Sequence, residues 1–162
     1  MTNVNPLFSP LTIKTKTLRN RIVMPPMVQV RPITSPEGIE WYAERARGGV
    51  ALVIVEATGV PHFGDELTIA TLKPLVDAVH DAGALIAIQL FPVKFGRVIT
   101  PAKVSLEEMG EIFANYEIAT EICAAAGFDG VEPHGAHNYL INRFFSPVQN
   151  RMAASKTGNV LR

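Results

Sequence analysis

The sequence is short of several things, and each shortage removes a class of function. It has one cysteine in 162 residues. Cys123 alone cannot close an intramolecular disulfide or supply a zinc cluster, which fits a reducing, cytoplasmic setting. It has no excess of either charge, with 15 Lys and Arg against 15 Asp and Glu. There is thus no electrostatic footprint for DNA, RNA or an acidic membrane face. No apolar run approaches the ~20 residues that span a bilayer, and the opening MTNVNPLFSP lacks the basic and apolar regions of a secretory leader. Low-complexity stretches and linkers are absent too. With 48% hydrophobic residues, the expectation is one soluble domain over residues 1–162.

Present in their place are four short apolar runs, each followed by a helical pattern. The runs are Arg21–Met27, Ala51–Ala57, Ala84–Phe91 and Gly130–His134. They are rich in Val and Ile and bounded by Gly, Pro or Asp, as expected of strands buried on both faces. Ser35-Pro36-Glu37 predicts the start of the first helix and Gly48-Gly49 its end. Asp65-Glu66 predicts the start of the second, which runs to Gly83. Ser105 to Glu108 reads as a capping box for the third. Its apolar stripe runs through Leu106, Met109, Ile112, Phe113, Tyr116, Ala119, Ile122, Cys123 and Ala126. A short helix is expected over Asn138 to Phe145, and a small hairpin around Lys14-Thr15-Lys16. Strand then helix, repeated, predicts an α/β fold with parallel strands joined by crossovers.

Ligands in parallel α/β sheets bind at the carboxyl ends of the strands. Those ends carry Pro25-Pro26-Met27, then Glu56-Ala57-Thr58, then Gln89-Leu90-Phe91, and finally His134 to Tyr139. The first three offer rigid backbone, one amide and small side chains, a wall for a flat polar ring. The last concentrates two imidazoles and a phenol. If a helix starts near Ala136, His134 and His137 converge on one point with Tyr139 opposite. Imidazole N–H groups can polarise a carbonyl oxygen, and a tyrosine can protonate an adjacent carbon. A metal site with Glu132 as third ligand is the functional rival, and histidines that merely satisfy a strand-to-helix turn are the structural one. Gln89 on an apolar strand needs polar partners. Trp41 and Tyr42 read as core, Glu56 as an inter-strand partner, and His62 and His80 as solvated.

The blocks Asn20 to Met27, Arg47 to Val50, Val55 to Thr58, Gln89 to Phe91 and, above all, Ala126 to Pro147 resemble the old yellow enzyme family of NAD(P)H-dependent flavin oxidoreductases. The resemblance runs from about Pro6 to Asn150. It implies a (β/α)8 TIM barrel with FMN at the carboxyl ends of its strands and NADH or NADPH as reductant. On matching positions, the backbone of Pro25, Pro26 and Met27 lines the flavin, Ala57 lies near its pyrimidine edge and Gln89 hydrogen-bonds the ring. His134 and His137 hold the substrate's carbonyl or nitro oxygen, and Tyr139 donates the proton. The implied reaction is reduction of C=C bonds in α,β-unsaturated carbonyl compounds.

Three departures from the family pattern carry expectations of their own. A histidine followed closely by Gly-Arg is usual after Gln-Leu, whereas Pro92 to Arg97 here leads quickly into the next helix, so the segment that covers the site is shortened. The charged stretch that usually follows Asn150 is replaced by Arg151 to Gly158. A full barrel takes about 250 residues, so this length accommodates about four βα units, the N-terminal half. The exposed edges and inner face of such a half-barrel call for a homo-oligomer or a complementing half-barrel chain, unless the chain is a fragment of a longer protein. An inactive relic or interaction chain is the alternative, and a metal-dependent hydrolase on the same barrel logic a third.

Overall fold

A computed structural model describes residues 6–94 and 96–150. Phe95 and the Arg151 to Gly158 stretch lie outside the described residues. The chain opens with a hairpin of β1 (Leu11–Ile13) and β2 (Lys16–Leu18), turned at Lys14 with φ 52°. There follow β3 (Val23–Met24), α1 (Pro36–Arg47), β4 (Leu52–Gly59), α2 (Ile69–Asp81), β5 (Leu85–Phe91), α3 (Leu106–Ala126), β6 (Gly130–Pro133) and α4 (Leu140–Phe145). Strands β3 to β6 pair in parallel and in chain order.

Helix ends follow side-chain chemistry. The Ser35 hydroxyl accepts from Gly38 N–H at 3.0 Å, and Ser105 from Glu108 N–H at 3.0 Å, each satisfying a donor the first turn leaves unpaired. Gly127 ends α3 in the left-handed region at φ 100°, where a side chain would be strained. The predicted start of α2 at Asp65-Glu66 is corrected: Thr68 is the N-cap and forms a reciprocal box with Thr71. Backbone bonds from Leu67 N to His62 O and from Gly64 N to Leu67 O tie residues 62–67 into a turn, which holds the acidic pair outside the helix.

Helix α1 packs on α2 and α2 on α3, and each packs on strands of the sheet. Val53 and Val55 of β4 and Ile86, Ile88 and Leu90 of β5 are buried among Tyr42, Leu72, Leu75, Val79, Ala119 and Cys123. The alternate residues Leu52, Ile54, Leu85, Ala87, Gln89 and Glu132 are only half-buried. The expectation of strands buried on both faces is therefore corrected. Helices cover one face, so the other remains partly open. Sequential strand order with helices on one side is the arrangement of a barrel wall; a doubly wound sheet reverses its order and carries helices on both faces. On α3 the predicted stripe holds for Ile112, Ala119, Cys123 and Ala126, while Leu106 and Phe113 are 62% and 61% exposed. A second apolar cluster of Phe91, Val93, Ile99, Val104, Ile112 and Leu140 fills the space beyond β5, so the short β5–α3 connection supplies core of its own.

The amino-terminal end of the sheet is fastened by charge. Asp129 accepts from Lys16 Nζ (2.7 Å), His80 Nε2 (2.8 Å) and Ile86 N–H (2.9 Å), joining the hairpin, the end of α2 and the starts of β5 and β6. His80, exposed as expected, is also a partner in this junction. Arg19 donates to the carbonyls of Ala46, Val50 and Ala82. Two of these lie at or beside the ends of α1 and α2, where a cation complements the helix dipole. Burial acts to raise the Asp129 pKa, but the Lys16, His80 and Ile86 bonds outweigh it and hold the carboxyl below its ordinary value. A depressed carboxyl stabilises the fold above the unfolded value of ~3.9, and that contribution is lost as pH falls through the folded value. Asp129→Asn is expected to cost about 2–3 kcal/mol at neutral pH in urea unfolding and to flatten the acid limb of the stability profile. Unchanged stability at neutral pH would contradict this role.

Candidate active site

Parallel pairing brings the carboxyl ends of β3 to β6 to one edge of the sheet. The segment after β3 is fixed by a buried carboxylate. Glu56 Oε2 accepts from Gln29 N–H at 2.8 Å and from Tyr42 OH at 3.0 Å, while Glu56 N–H donates back to the Tyr42 oxygen at 3.2 Å. Burial raises the Glu56 pKa, and the Gln29 and Tyr42 bonds pull it partly back. This clasp ties the Pro25-Pro26-Met27 segment, through Gln29, to β4. Residues Pro25 and Met27 are exposed and Pro26 half-buried. Two neighbours, Val28 and Val30, are also exposed, which gives this rim an apolar character.

A β-bulge explains how Glu56 and Ala57 come to face different surroundings. Between Val55↔Ile88 and Thr58↔Leu90 the register shifts, so β4 carries one extra residue. The bulge lets both Val55 and Glu56 be buried and re-aims Ala57. Ala57 packs with Tyr139 and Phe144 against the second apolar cluster. Gln89, paired in register with Glu132, donates from Nε2 to Glu132 Oε1 at 2.5 Å. Its expected polar partner is therefore a carboxylate on the neighbouring strand. Among the described residues no three His, Cys, Asp or Glu side chains are grouped to hold a metal ion.

The two histidines and the tyrosine do converge, though by a different route from the expected helix. Helix α4 starts only at Leu140, with Tyr139 as its N-cap. Before it, His137 and Asn138 take left-handed backbone, φ 55° and 61°, a costly conformation for a non-glycine residue. This turn folds His137 back on His134, whose Nε2 lies 3.3 Å from His137 Nδ1. Arg143 Nε donates to the Asn138 carbonyl and Asn138 N–H to Asn142 Oδ1 at 3.1 Å, so α4 braces the turn. His134 is buried, held by its N–H on Leu90 O at 2.9 Å. The Phe91 ring stands edge-on to both His134 (5.5 Å) and Tyr139 (4.8 Å), and Tyr139 lies 5.2 Å from His134.

Ala136 N–H donates to His134 Nδ1 at 3.4 Å, which puts the His134 ring proton on Nε2, the atom that faces His137 Nδ1. Burial first, then the neighbouring His137, lowers the His134 pKa against the raising effects of its own backbone bond and Glu132. The site therefore sets two adjoining imidazoles beside a phenol.

Sequence reasoning found the His134, His137 and Tyr139 cluster, and took Glu56 for an inter-strand partner without its donors. It missed the clasp by Tyr42 and Gln29, the Gln89–Glu132 pair and the Phe91 wall. The signal for the pair was a Glu and a Gln on apolar strands, each needing a partner. A proton NMR titration is expected to place His134 below the ordinary ~6.5, and His137→Ala to raise it by removing the adjacent ring and opening the site. A His134 titration at or above the ordinary value would contradict this geometry.

Residues 6–97 and 92–160 match the NADH:flavin oxidoreductase / NADH oxidase family. The two matched segments overlap over residues 92–97, in the connection from β5 to α3. Relatives include an NADPH dehydrogenase of Listeria welshimeri, 35% identical over an alignment of 178 positions, gaps included, that covers 90% of this chain and 52% of the relative. Another, from Halalkalibacterium halodurans, is 33% identical and covers 95% and 55%. Among solved structures, the old yellow enzyme homologue from Zymomonas mobilis superposes with a TM-score of 0.71 at 26% identity, covering 91% of this chain and 53% of that one. Morphinone reductase in complex with tetrahydroNAD gives 0.73 at 25%, covering 91% and 54%. The chain spans about half the length of the curated relatives it matches.

Proposed function

The chain belongs to the NADH:flavin oxidoreductase / NADH oxidase family, and from that premise we propose that it forms the substrate-activating half of an FMN-dependent ene-reductase barrel. The observation that carries this reading is the His134–His137 nitrogen pair held beside Tyr139 at the end of β6. Two adjacent N–H donors suit one carbonyl or nitro oxygen, whose partial negative charge grows as the conjugated C=C bond is reduced. Tyr139, across from the pair, is placed to give a proton to the α-carbon.

The residues present fit a flavin. The half-open inner face carries the Gln89 amide, whose Oε1 has no partner among the described residues. The bulge presents the small Ala57, and the Glu56 clasp holds the Pro25, Pro26 and Met27 backbone. When bound, FMN supplies hydride transfer after reduction by NADH or NADPH. The chain's own share is different. Gln89 and the segment after β3 hold the ring edge, His134 and His137 orient the substrate oxygen, and Phe91 keeps Tyr139 and His134 in place. The phosphate and the remaining ring contacts then fall to a second half-barrel, in a homo-oligomer, a complementing chain or a longer parent chain, that pairs with the edges of β3 and β6 left unpartnered among the described residues and covers the inner face. The same reading assigns the protein to the cytoplasm. Among the described residues no helix is long and apolar enough to cross a membrane.

In flavin-loaded protein, replacing His134 and His137 by Ala is expected to weaken a bound phenol by about tenfold for each lost hydrogen bond, with flavin retained. Tyr139→Phe is expected to slow flavin reoxidation by an α,β-unsaturated ketone by about a hundredfold or more, while reduction by NADPH or NADH is unchanged. Both are read by stopped-flow absorbance. Unaltered phenol binding in the histidine variants would contradict their role, and a colourless wild-type chain that takes up no FMN would favour an inactive relation of the family.

A further inference from the structure

We propose that Glu132 is a positioning residue that fixes which end of the Gln89 amide faces the ligand, making this strand position a hydrogen-bond acceptor that selects a ring carrying an N–H at its edge. The inference deepens the flavin reading above and rests on it.

Gln89 and Glu132 are register partners on β5 and β6, flanked on β5 by Ile88 and Leu90, which turn the other way into the core. Both side chains therefore sit on the half-open inner face. Gln89 Nε2 donates to Glu132 Oε1 at 2.5 Å. A carboxylate only accepts, whereas an amide has a donor end and an acceptor end. Flipping Gln89 would set its carbonyl oxygen against the carboxylate, two acceptors facing each other in a half-buried place with nothing to share. One orientation survives, with one amide N–H taken by Glu132, and in it Oε1 is the acceptor left for a ligand beside the second N–H.

The pyrimidine edge of an isoalloxazine presents one N–H between two carbonyl oxygens. An acceptor pairs with the N–H and is repelled by either carbonyl, so a fixed Oε1 sets where along that edge the strand can bind. A residue that could be satisfied either way would lose this selection, because a site built around one hydrogen-bonding pattern discriminates by leaving groups unpaired in the wrong complex. Glu132→Gln keeps the shape of the side chain but can both donate and accept, freeing Gln89 to flip.

The test compares oxidised FMN with FMN methylated at that N–H, both titrated into the 162-residue chain by flavin fluorescence, with no turnover involved. Wild-type protein is expected to bind FMN about tenfold more tightly than the methylated analogue, and E132Q to discriminate by only about twofold. A variant-free measurement accompanies it: in wild-type protein one proton of the Gln89 side-chain amide is expected downfield and slow to exchange in NMR spectra. Equal discrimination in wild type and E132Q overturns the proposal, as does an ordinary, fast-exchanging Gln89 amide. Wild-type protein that binds neither flavin overturns the flavin reading itself, and this inference falls with it, an outcome distinct from the first two.

Discussion

One-sided cover of a parallel sheet is the constraint on which the rest of the molecule depends. Because α1, α2 and α3 all pack on the face of Val53, Val55, Ile86 and Ile88, β4, β5 and β6 keep their other face half-open. Along that open face the strands present little that is reactive until their carboxyl ends, where polar groups gather. The two ends of the sheet have separate duties. The amino-terminal end is locked by Asp129 and Arg19, which bind chain segments far apart in sequence. The carboxyl end carries the clasp, the amide–carboxylate pair and the imidazole cluster.

The site side chains are positioned by packing more than by local helix geometry. Tyr42 comes from α1 and Glu56 from the bulge in β4, and together they hold Gln29 in the loop after β3. Phe91, at the end of β5, supports two rings that belong to the β6–α4 turn. Strain at His137 and Asn138 is retained because α4 braces the turn from below. Such a placement is what directed catalysis needs: groups whose rotamers are set before the substrate arrives.

Much of this was legible in the residues. Alternating apolar runs and helix signals placed the strands and helices, Ser35, Ser105 and Gly127 marked helix ends by their hydrogen-bonding chemistry, and His134, His137 and Tyr139 stood out as a cluster. What escaped depended on distance. No local signal reveals that β5 and β6 pair with Gln89 opposite Glu132, because register follows from packing between segments. The start of α2 escaped because Thr68 and Thr71 cap it reciprocally while the preceding turn absorbs Asp65 and Glu66. The left-handed turn at His137 gave no sign either, since neither His137 nor Asn138 is a glycine. Exposure of Leu106 and Phe113 shows that a periodic stripe can be wider than the surface available to cover it.

The proposal that this face of the sheet walls a flavin and substrate is tested most directly by titrating FMN into the purified chain, alone and at rising protein concentration, and following visible absorbance under NADPH or NADH. Flavin is expected to be taken up, with uptake strengthening as chains associate, and its absorption band to bleach on adding the nicotinamide. Protein that remains colourless at every concentration while keeping its native fold would contradict it.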